Sequence, residues 1–548
     1  MPDRRRVYGI DLGTTYSAVG YVDETGRAVI ARNGEGEETT PSVVHLESPT
    51  NVVVGTQAKA VAVIEPDHVV SLVKRQMGTP AVYAFHGQEH TPESLSALIL
   101  KHLAAGADVD DEVRDVVITV PAYFGMRERD ATRKAGEIAG LEVLGIVPEP
   151  VAAAVHYESG QGGIGRTVLV YDLGGGTFDT SVIQIGDNAV DVLCTDGDKH
   201  LGGADWDARL ADHIMTRFVE QASPAEDPRE SDDLLQEVAL LAETVKKALS
   251  KQEARAVNLK LAGAAARFEV TRAEFEAMTE DLLDTTVAIV RRTLDTLAEK
   301  SPGTTVDEVL LVGGSTRMPA VAARLEAEFG WSPRLFEPDL AVAKGAAVWA
   351  LSRRVVQETA RAREDAPSAA IGDERARAAL ADIAAATGLA EADLARLSAK
   401  STRNVLSKAF GVRLVDPDRN DRSYVHHLVA ANDALPTGDR TLEAFTLRDG
   451  QTGVEIALYE QAGTVPSEEL DDNIPVTDGT GHIEGIPPGP AGAPVDIVLR
   501  IDEQGLLEVR ATHRSSGRSL EIAVTIGALS ADEVARATRV VDGLTVTG

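Results

Sequence analysis

Cysteine, positive charge and long apolar runs are all scarce in this chain of 548 residues. Its single cysteine, Cys194, excludes a disulfide within the chain and favours a cytoplasmic protein. The 86 acidic residues outnumber the 54 Lys and Arg residues, so the net charge is −32. Such an acidic surface argues against broad nucleic-acid binding and against docking on an anionic membrane. No apolar run approaches the ~20 residues of a membrane-spanning helix, and the basic start, residues 1–6, leads into a strand pattern rather than a signal peptide.

The pattern along the chain changes twice, and the length alone indicates three or four domains. Up to about residue 353, apolar strand-like runs alternate with helical stretches, which is typical of an α/β fold. Residues 357–400 are Ala-rich and charged, and their leucine spacing suits one or two short amphipathic helices. From about 403 to 527, short strands broken by Gly, Pro, Asn and Asp predict a separate all-β domain. Ser530 to Glu533 then resembles a helix N-terminus.

Two acidic turns of nearly the same design carry the strongest functional signal. The first glycine turn, residues 11–15, reads Asp-Leu-Gly-Thr-Thr, and the second, residues 172–179, reads Asp-Leu-Gly-Gly-Gly-Thr-Phe-Asp. Each joins two apolar runs, so we expect strand, tight turn and strand. Glycines let backbone N–H groups approach an anion, threonine hydroxyls add donors, and an Asp at a strand end can hold a hydrated Mg²⁺. One such turn could be ordinary hairpin chemistry; two indicate a duplicated domain that grips a polyphosphate.

Further candidate residues surround these turns. A third glycine turn, residues 312–319, follows an apolar strand and contains Arg317, which can stack on a purine or reach a phosphate. Glu243, Lys246, Lys247 and Ser250 share one helix face, which could bind a nucleoside or simply be a solvated charged surface.

Two charged residues are candidates for the reaction itself. Lys74 could orient an attacking water near a γ-phosphate, although a lone surface lysine is the ordinary alternative. Glu149 could complete a metal's water shell or could simply stabilise a helix N-terminus.

These segments together resemble the 70-kDa heat-shock chaperone family (DnaK type), within the superfamily of actin, hexokinase and heat-shock ATPases. The resemblance covers roughly residues 5–353 and 403–535. It rests on IDLGTTYS at 10–17, VPAYF at 120–124, EPVAAA at 149–154, VYDLGGGTFDTSV at 170–182, GDKHLGGADWD at 197–207, LLVGGSTRMP at 310–319, EPDLAVAKGAAV at 337–348, HIEGIPPGPAGAP at 482–494 and RIDEQGLLEVRAT at 500–512.

The resemblance implies a two-lobed, actin-like (ribonuclease H-like) ATPase domain at 1–353, a helical linker at 354–402, a β-sandwich at 403–530 and a short helix at 531–548 in place of a lid. It also implies ATP or ADP and Mg²⁺ as cofactors, with K⁺ as a further option. The positions matching the family's catalytic residues are Lys74, Glu149, Asp172, Thr177 and Asp179, and those matching its metal site are Asp11 and Asp172. The positions matching its nucleotide-binding residues are Gly13, Thr14, Thr15, Tyr16, Gly174, Gly175, Gly176, Thr177, Gly202, Gly203, Glu243, Lys246, Lys247, Ser250, Gly313, Gly314, Ser315, Arg317 and Asp339.

The chain also departs from the family pattern. Segment 357–400 stands where a short apolar linker is usual, so we expect the domains to be coupled more weakly than in typical relatives. Residues 144–148 lack the usual basic residue and Asn of the surface that receives a J-domain co-chaperone, which argues against dependence on one. Ala204 replaces a usual Glu. The segment after 530 is too short for the family's helical lid, so we expect fast peptide release.

The sequence therefore predicts an ATP-hydrolysing chaperone without a lid, whose partners are unfolded or extended peptides and, as an option, a nucleotide-exchange factor. A nucleotide-gated regulatory protein with one dedicated partner and no folding cycle is the alternative. A small-molecule kinase of the same superfamily is disfavoured, because the β-sandwich would then have no role.

Overall fold

The computed structural model describes residues 6–161, 165–187, 189–224, 227–261, 263–366, 368–399, 401–463, 465–502, 505–525, 527 and 529–548. The basic start of the chain, residues 1–5, lies outside these ranges. Among the helices described, none is long and apolar enough to cross a membrane.

Residues 6–161 form lobe I, a sheet in the order β11-β10-β1-β2-β3 with helices against it. Strand β10 is buried along its whole length, as expected for a parallel strand covered on both faces. Short 3₁₀ helices lie at Pro66–His68 and Val73–Gln76. The other elements are β1 (Val7–Asp11), β2 (Tyr16–Val22), β3 (Ala28–Ala31), β4 (Thr40–Pro41), β5 (Val44–His45), β6 (Asn51–Val54), α1 (Thr56–Val61), β7 (Val69–Val70), β8 (Tyr83–Phe85), β9 (Gln88–His90), α2 (Pro92–Gly106), β10 (Asp115–Val120), α3 (Met126–Ile138), β11 (Glu142–Pro148) and α4 (Glu149–Gln161).

Residues 165–335 form lobe II, whose sheet has the order β18-β17-β12-β13-β14. Short 3₁₀ helices lie at Pro228–Glu230 and Gly314–Arg317. The other elements are β12 (Arg166–Leu173), β13 (Phe178–Ile185), β14 (Ala189–Asp198), α5 (Gly203–Ala222), α6 (Asp232–Leu249), β15 (Ala254–Leu261), β16 (Ala264–Thr271), α7 (Arg272–Met278), α8 (Glu280–Lys300), β17 (Glu308–Val312), α9 (Pro319–Phe329) and β18 (Arg334–Leu335).

The two lobes repeat one topology, as the paired turns predict. In lobe I, β1 and β2 are antiparallel while β1 and β10 are parallel. In lobe II, β12 and β13 are antiparallel while β12 and β17 are parallel. Each glycine turn therefore closes the same hairpin in its own lobe.

Helix α10 (Ala341–Glu364) packs against α4 and β1, and α4 in turn contacts β12, β13 and β14 of lobe II. Its first turns are rich in Ala and Gly because the backbones approach very closely there. A Cβ on Gly345 would overlap the carbonyl of Ala152 in α4, and a Cβ on Gly9 would overlap the backbone of Ala347. Small residues at these positions thus fix where the two lobes meet.

The Ala-rich segment folds back onto this helix. It contains α11 (Ala369–Thr387), α12 (Glu391–Ser398) and β19 (Ser401–Arg403). Leu394 is buried in the core that α10 and α4 share, and Ser352 of α10 donates a hydrogen bond to the Leu397 carbonyl at 3.0 Å. Strand β19 extends the lobe II sheet by pairing in parallel with β14. The segment is thus packed on α10 and on the edge of the lobe II sheet, and the boundary predicted at residue 353 falls inside the continuous helix α10.

The next unit is a β-sandwich, as predicted. Its two sheets have the orders β21-β20-β23-β24 and β22-β25-β26-β27, and they enclose one apolar core. Short 3₁₀ helices lie at Pro417–Arg419 and Leu470–Asp472. The strands are β20 (Phe410–Asp416), β21 (Arg422–Val429), β22 (Arg440–Phe445), β23 (Gly453–Gln461), β24 (Asn473–Glu484), β25 (Pro494–Ile501), β26 (Leu506–His513) and β27 (Arg518–Thr525).

The sandwich docks on the start of α3 in lobe I. Met126 packs against the sandwich core, and Ser407 donates a hydrogen bond to the Phe124 carbonyl at 2.8 Å. Glu460 of β23 is buried at this interface beside Glu128 of α3. Burial first, and then the Glu128 carboxylate, raise the pKa of Glu460 to about 8, although Lys408 opposes the shift. Docking therefore favours a protonated carboxyl at this position.

The helix after the sandwich packs on lobe I. Ser530 caps α13 (Ala531–Asp542), as the sequence predicts, and Glu533 completes a capping box with it. The helix packs on α2 and α3, and Val541 is fully buried in the lobe I core. Strand β28 (Thr545–Thr547) then pairs in parallel with β6. The segment predicted as the remnant of a lid is thus part of lobe I.

Replacing Glu460 by Gln should remove a pH dependence of stability. The pKa of the Glu460 carboxyl is raised in the folded protein. The protonated carboxyl therefore stabilises the fold fully at a pH below the pKa of the unfolded state, and this stabilisation is lost as the pH rises through about 8. The neutral amide cannot ionise, so we expect Glu460→Gln to be more stable than the parent protein above about pH 8. Urea unfolding across a pH series measures this. Exposed Glu484→Gln on β24 is the control; parallel curves for Glu460→Gln and the parent would contradict the prediction.

Shortening Val541 should destabilise lobe I, although the residue lies far from it along the chain. We expect Val541→Ala to cost about 2 kcal/mol, because a fully buried side chain would leave a cavity. The exposed Arg536→Ala on the same helix should cost much less. Chemical denaturation monitored on the full chain distinguishes them. An equal, small effect for both variants would show that α13 is not docked in solution.

Candidate functional site

A cavity of about 1010 Å³ lies in the cleft between the lobes. All three glycine turns, the 3₁₀ turn at Val73–Gln76 and the end of α6 border it. The predicted residues that line it are Asp11, Gly13, Thr14, Thr15, Tyr16, Lys74, Glu149, Asp172, Gly174, Gly175, Thr177, Glu243, Lys246, Lys247, Ser250, Gly313, Gly314, Ser315, Arg317 and Asp339. Gly176, Asp179, Gly202 and Gly203 lie behind this lining and support it. The cavity is large enough for a nucleotide-sized ligand.

The first two glycine turns touch each other across the cleft. A Cβ on Gly175 would overlap the Thr15 hydroxyl, and one on Gly176 would overlap the Thr14 side chain. Behind the second turn, a Cβ on Gly202 would overlap the backbone of Gly176. The glycines are therefore required by close packing as well as by turn geometry, and they bring the backbones of both lobes to one point.

A buried charged cluster lies beside this contact. The Lys74 ammonium is 2.5 Å from the Glu149 carboxylate, and both side chains are less than a tenth exposed. Burial, followed by repulsion from Glu149, raises the pKa of Asp11 to about 7 and those of Asp172 and Asp179 well above the usual range. One ammonium thus faces four carboxyl groups.

This excess of carboxylate in a buried place fits a bound cation. Within the described part of the chain, no three acidic, His or Cys side chains converge as direct ligands of a metal ion. Mg²⁺, which uses few direct carboxylate ligands and keeps several waters, suits the chemistry of these residues.

Tyr16 and the α6 face close one side of the cleft. The Tyr16 hydroxyl accepts hydrogen bonds from Lys59 at 3.0 Å and from Lys247 at 3.1 Å. Both ammonium groups also pair with Glu243. Although burial opposes the shift, Lys59 and Lys247 lower the pKa of Glu243 to about 2. This network joins α1 of lobe I to α6 of lobe II across the cavity.

The remaining predicted residues lie on the lobe II side of the cavity. Lys246 donates hydrogen bonds to the Gly203 carbonyl at 2.8 Å and to Asp207 at 2.7 Å. Ser315 donates to the Gly174 carbonyl at 2.9 Å, which ties the third glycine turn to the second. Arg317 pairs with Asp339 at the rim. These contacts give the pocket a fixed polar wall.

Sequence reasoning missed three residues of this region. Lys59 has no motif around it, so its contact with Glu243 could not be found from the sequence. Asp207 lines the cavity and lies in a segment already noted, 197–207, where its carboxylate could have been considered. Arg75 follows Lys74 directly, yet its contacts reach the other lobe.

The model of the family described as Hsp70 protein matches residues 7–83, 79–359 and 419–542. The chain belongs to the Hsp70 family. The chaperone protein DnaK of Thermotoga neapolitana is 34% identical over 531 residues, which are 95% of this chain and 80% of that protein. Those of Thermotoga petrophila and Thermotoga maritima are 34% identical over 543 residues, 97% of this chain and 82% of each.

Membership of the Hsp70 family confirms the resemblance inferred from the motifs. This Hsp70 protein is an ATP-dependent chaperone with ATPase activity, and its two-lobed actin-like unit and β-sandwich are those of the family. The family match leaves out residues 360–418, which contain α11, α12 and β19.

Proposed function

We propose that this Hsp70 chaperone binds Mg²⁺ and ATP in the cleft between its lobes and hydrolyses the γ-phosphate there. The observation that carries the proposal is the buried Lys74, which lies among four carboxyl groups beside two touching glycine turns. Backbone N–H groups of the turns, with the Thr14 and Thr177 hydroxyls, would bind the phosphates. Glu243, Lys246, Lys247, Ser250, Gly314, Ser315, Arg317 and Asp339 would bind the nucleoside.

Each charged residue of the cluster has a separate role in this proposal. Asp11 and Asp172 would hold the water shell of Mg²⁺, and Glu149 would complete it. The bound ion would neutralise phosphate charge, and K⁺ is a further option at the phosphates. The Lys74 ammonium would orient the attacking water and stabilise the charge of the transition state. Asp179 accepts a hydrogen bond from the Tyr123 N–H at 3.3 Å and would fix the water-binding side of the site.

We further propose that residues 403–530 bind extended peptide segments of unfolded clients. Support comes from the exposed apolar side chains of Phe445 and Leu447, which are 55% and 41% exposed at the end of β22 and just after it. Next to them, Arg448 lies 3.9 Å from Asp421 of the loop between β20 and β21, so two loops meet there. An apolar rim between two loops suits an extended chain with alternating apolar side chains.

The surface around residues 144–148 is where the family receives a J-domain partner, and here it is partly covered. The Trp349 ring of α10 lies against Gly145, and Gln357 donates a hydrogen bond to the Leu144 carbonyl at 3.5 Å. This cover supports the proposal that the chaperone does not depend on a J-domain partner at that surface. A nucleotide-exchange factor and a cytoplasmic location remain part of the proposal.

Removing the Lys74 ammonium should reduce hydrolysis far more than ATP binding. We expect Lys74→Ala to slow single-turnover hydrolysis about a hundredfold, because the charge acts where the transition state is more negative than the substrate. Glu149→Gln should have a milder effect. Calorimetry measures ATP affinity in parallel, and Lys134→Ala on the surface of α3 is the control. A parental hydrolysis rate in Lys74→Ala would contradict the assignment.

Making the apolar rim polar should weaken peptide binding without affecting hydrolysis. We expect Phe445→Ser with Leu447→Ser to reduce affinity for a labelled hydrophobic peptide at least about tenfold, which is roughly 1.4 kcal/mol. Fluorescence anisotropy measures the affinity. The matched control is Ile64→Ser, which changes an exposed apolar residue on lobe I. Equal affinities for the parent and the double variant would place the peptide site elsewhere.

A further inference from the structure

Arg75 crosses the cleft immediately beside Lys74. Its Nε donates a hydrogen bond to the Gly176 carbonyl at 2.7 Å, and a terminal nitrogen lies 2.6 Å from Asp205 at the start of α5. The guanidinium is largely buried behind the wall of the cavity. Asp205 in turn accepts a hydrogen bond from the Gly202 N–H at 2.7 Å. One side chain of lobe I thus contacts both backbone segments that hold the second glycine turn.

The Gly176 carbonyl belongs to the same peptide unit as the Thr177 N–H. Because this unit is planar and trans, its carbonyl and N–H point in opposite directions. A donor that fixes the carbonyl of Gly176 therefore fixes the orientation of the Thr177 N–H as well. Thr177 lines the cavity, and Gly176 is already packed against Thr14 of the first turn. The hydrogen bond from Arg75 therefore restrains the orientation of this peptide unit.

The ammonium of Lys74 and the second glycine turn lie on different lobes, so their relative position depends on how the lobes close. Lys74 and Arg75 are neighbours on one rigid 3₁₀ turn. When Arg75 is bonded to Gly176 and Asp205, the position of Lys74 relative to Thr177 is set as well. Misplacement of such groups by about 1 Å is enough to cost about a hundredfold in rate.

We propose that Arg75 is a positioning residue for ATP hydrolysis. It holds the second glycine turn, which lies in lobe II, against the 3₁₀ turn of lobe I that carries Lys74. This inference rests on the hydrolysis site proposed above. The planar guanidinium is needed because it donates to the carbonyl and to the carboxylate at the same time. A lysine ammonium could not bond to both acceptors with good geometry. Arg75 itself touches neither nucleotide nor water in this role.

The test compares Arg75→Met, Arg75→Lys and Arg75→Ala in the full chain. Arg75→Met is expected to slow single-turnover hydrolysis at least about tenfold while changing the ATP dissociation constant less than about threefold. Arg75→Lys should recover part of the rate. Added guanidinium at tens of millimolar should raise the rate of Arg75→Ala, whereas ammonium should not. The control is Arg209→Met, which removes an exposed arginine 2.7 Å from Asp281.

The possible results separate clearly. A parental rate in Arg75→Met, an equal loss of affinity and rate, or failure of guanidinium to rescue Arg75→Ala would each overturn the proposal. A similar loss in Arg209→Met would do so too. If Lys74→Ala is fully active while Arg75→Met is impaired and Arg75→Ala is rescued by guanidinium, the role proposed for Lys74 fails and that of Arg75 stands. The reverse result overturns the role of Arg75 alone.

Discussion

The contact between the first two glycine turns is the constraint on which the rest of the molecule depends. Gly175 and Gly176 have no room for a side chain because Thr15 and Thr14 of the other lobe occupy that space. Backbone donors of two separate sheets therefore meet at one point, which no single hairpin could achieve. A second close contact lies away from these turns, where Gly345 of α10 packs directly on the backbone of α4. Small residues at both contacts define the cleft.

Charge adds a second constraint, since the cleft gathers more carboxyl groups than its lysine can neutralise. Burial makes the carboxyl groups of Asp11, Asp172 and Asp179 hard to ionise, as their raised pKa values show. Protons or a cation would stabilise such a site, and under the proposed function the cation bound with the nucleotide would supply the missing positive charge. The buried carboxyl groups reduce the stability of the folded protein, but they are in position before the ligand binds.

Short-range patterns predicted the hairpins, the third glycine turn, the helix face that begins with Glu243 and the N-cap of α13. Each of these depends on residues within a few positions of one another. Contacts between distant segments could not be predicted in this way. The pairing of Lys59 with Glu243, the reach of Arg75 and the docking of α13 require the tertiary arrangement. The Ala-rich pattern predicted helices correctly but contained no information about the surface they pack on.

The ends of the β-sandwich have a mechanical consequence. The chain enters the sandwich from β19, which is held at the edge of the lobe II sheet, and leaves it into β28, which is held beside β6 in lobe I. The segments on either side of the sandwich are thus fixed to different lobes. Rotation of one lobe against the other would change the distance between β19 and β28. Opening or closing of the cleft would therefore act on the sandwich through its two ends.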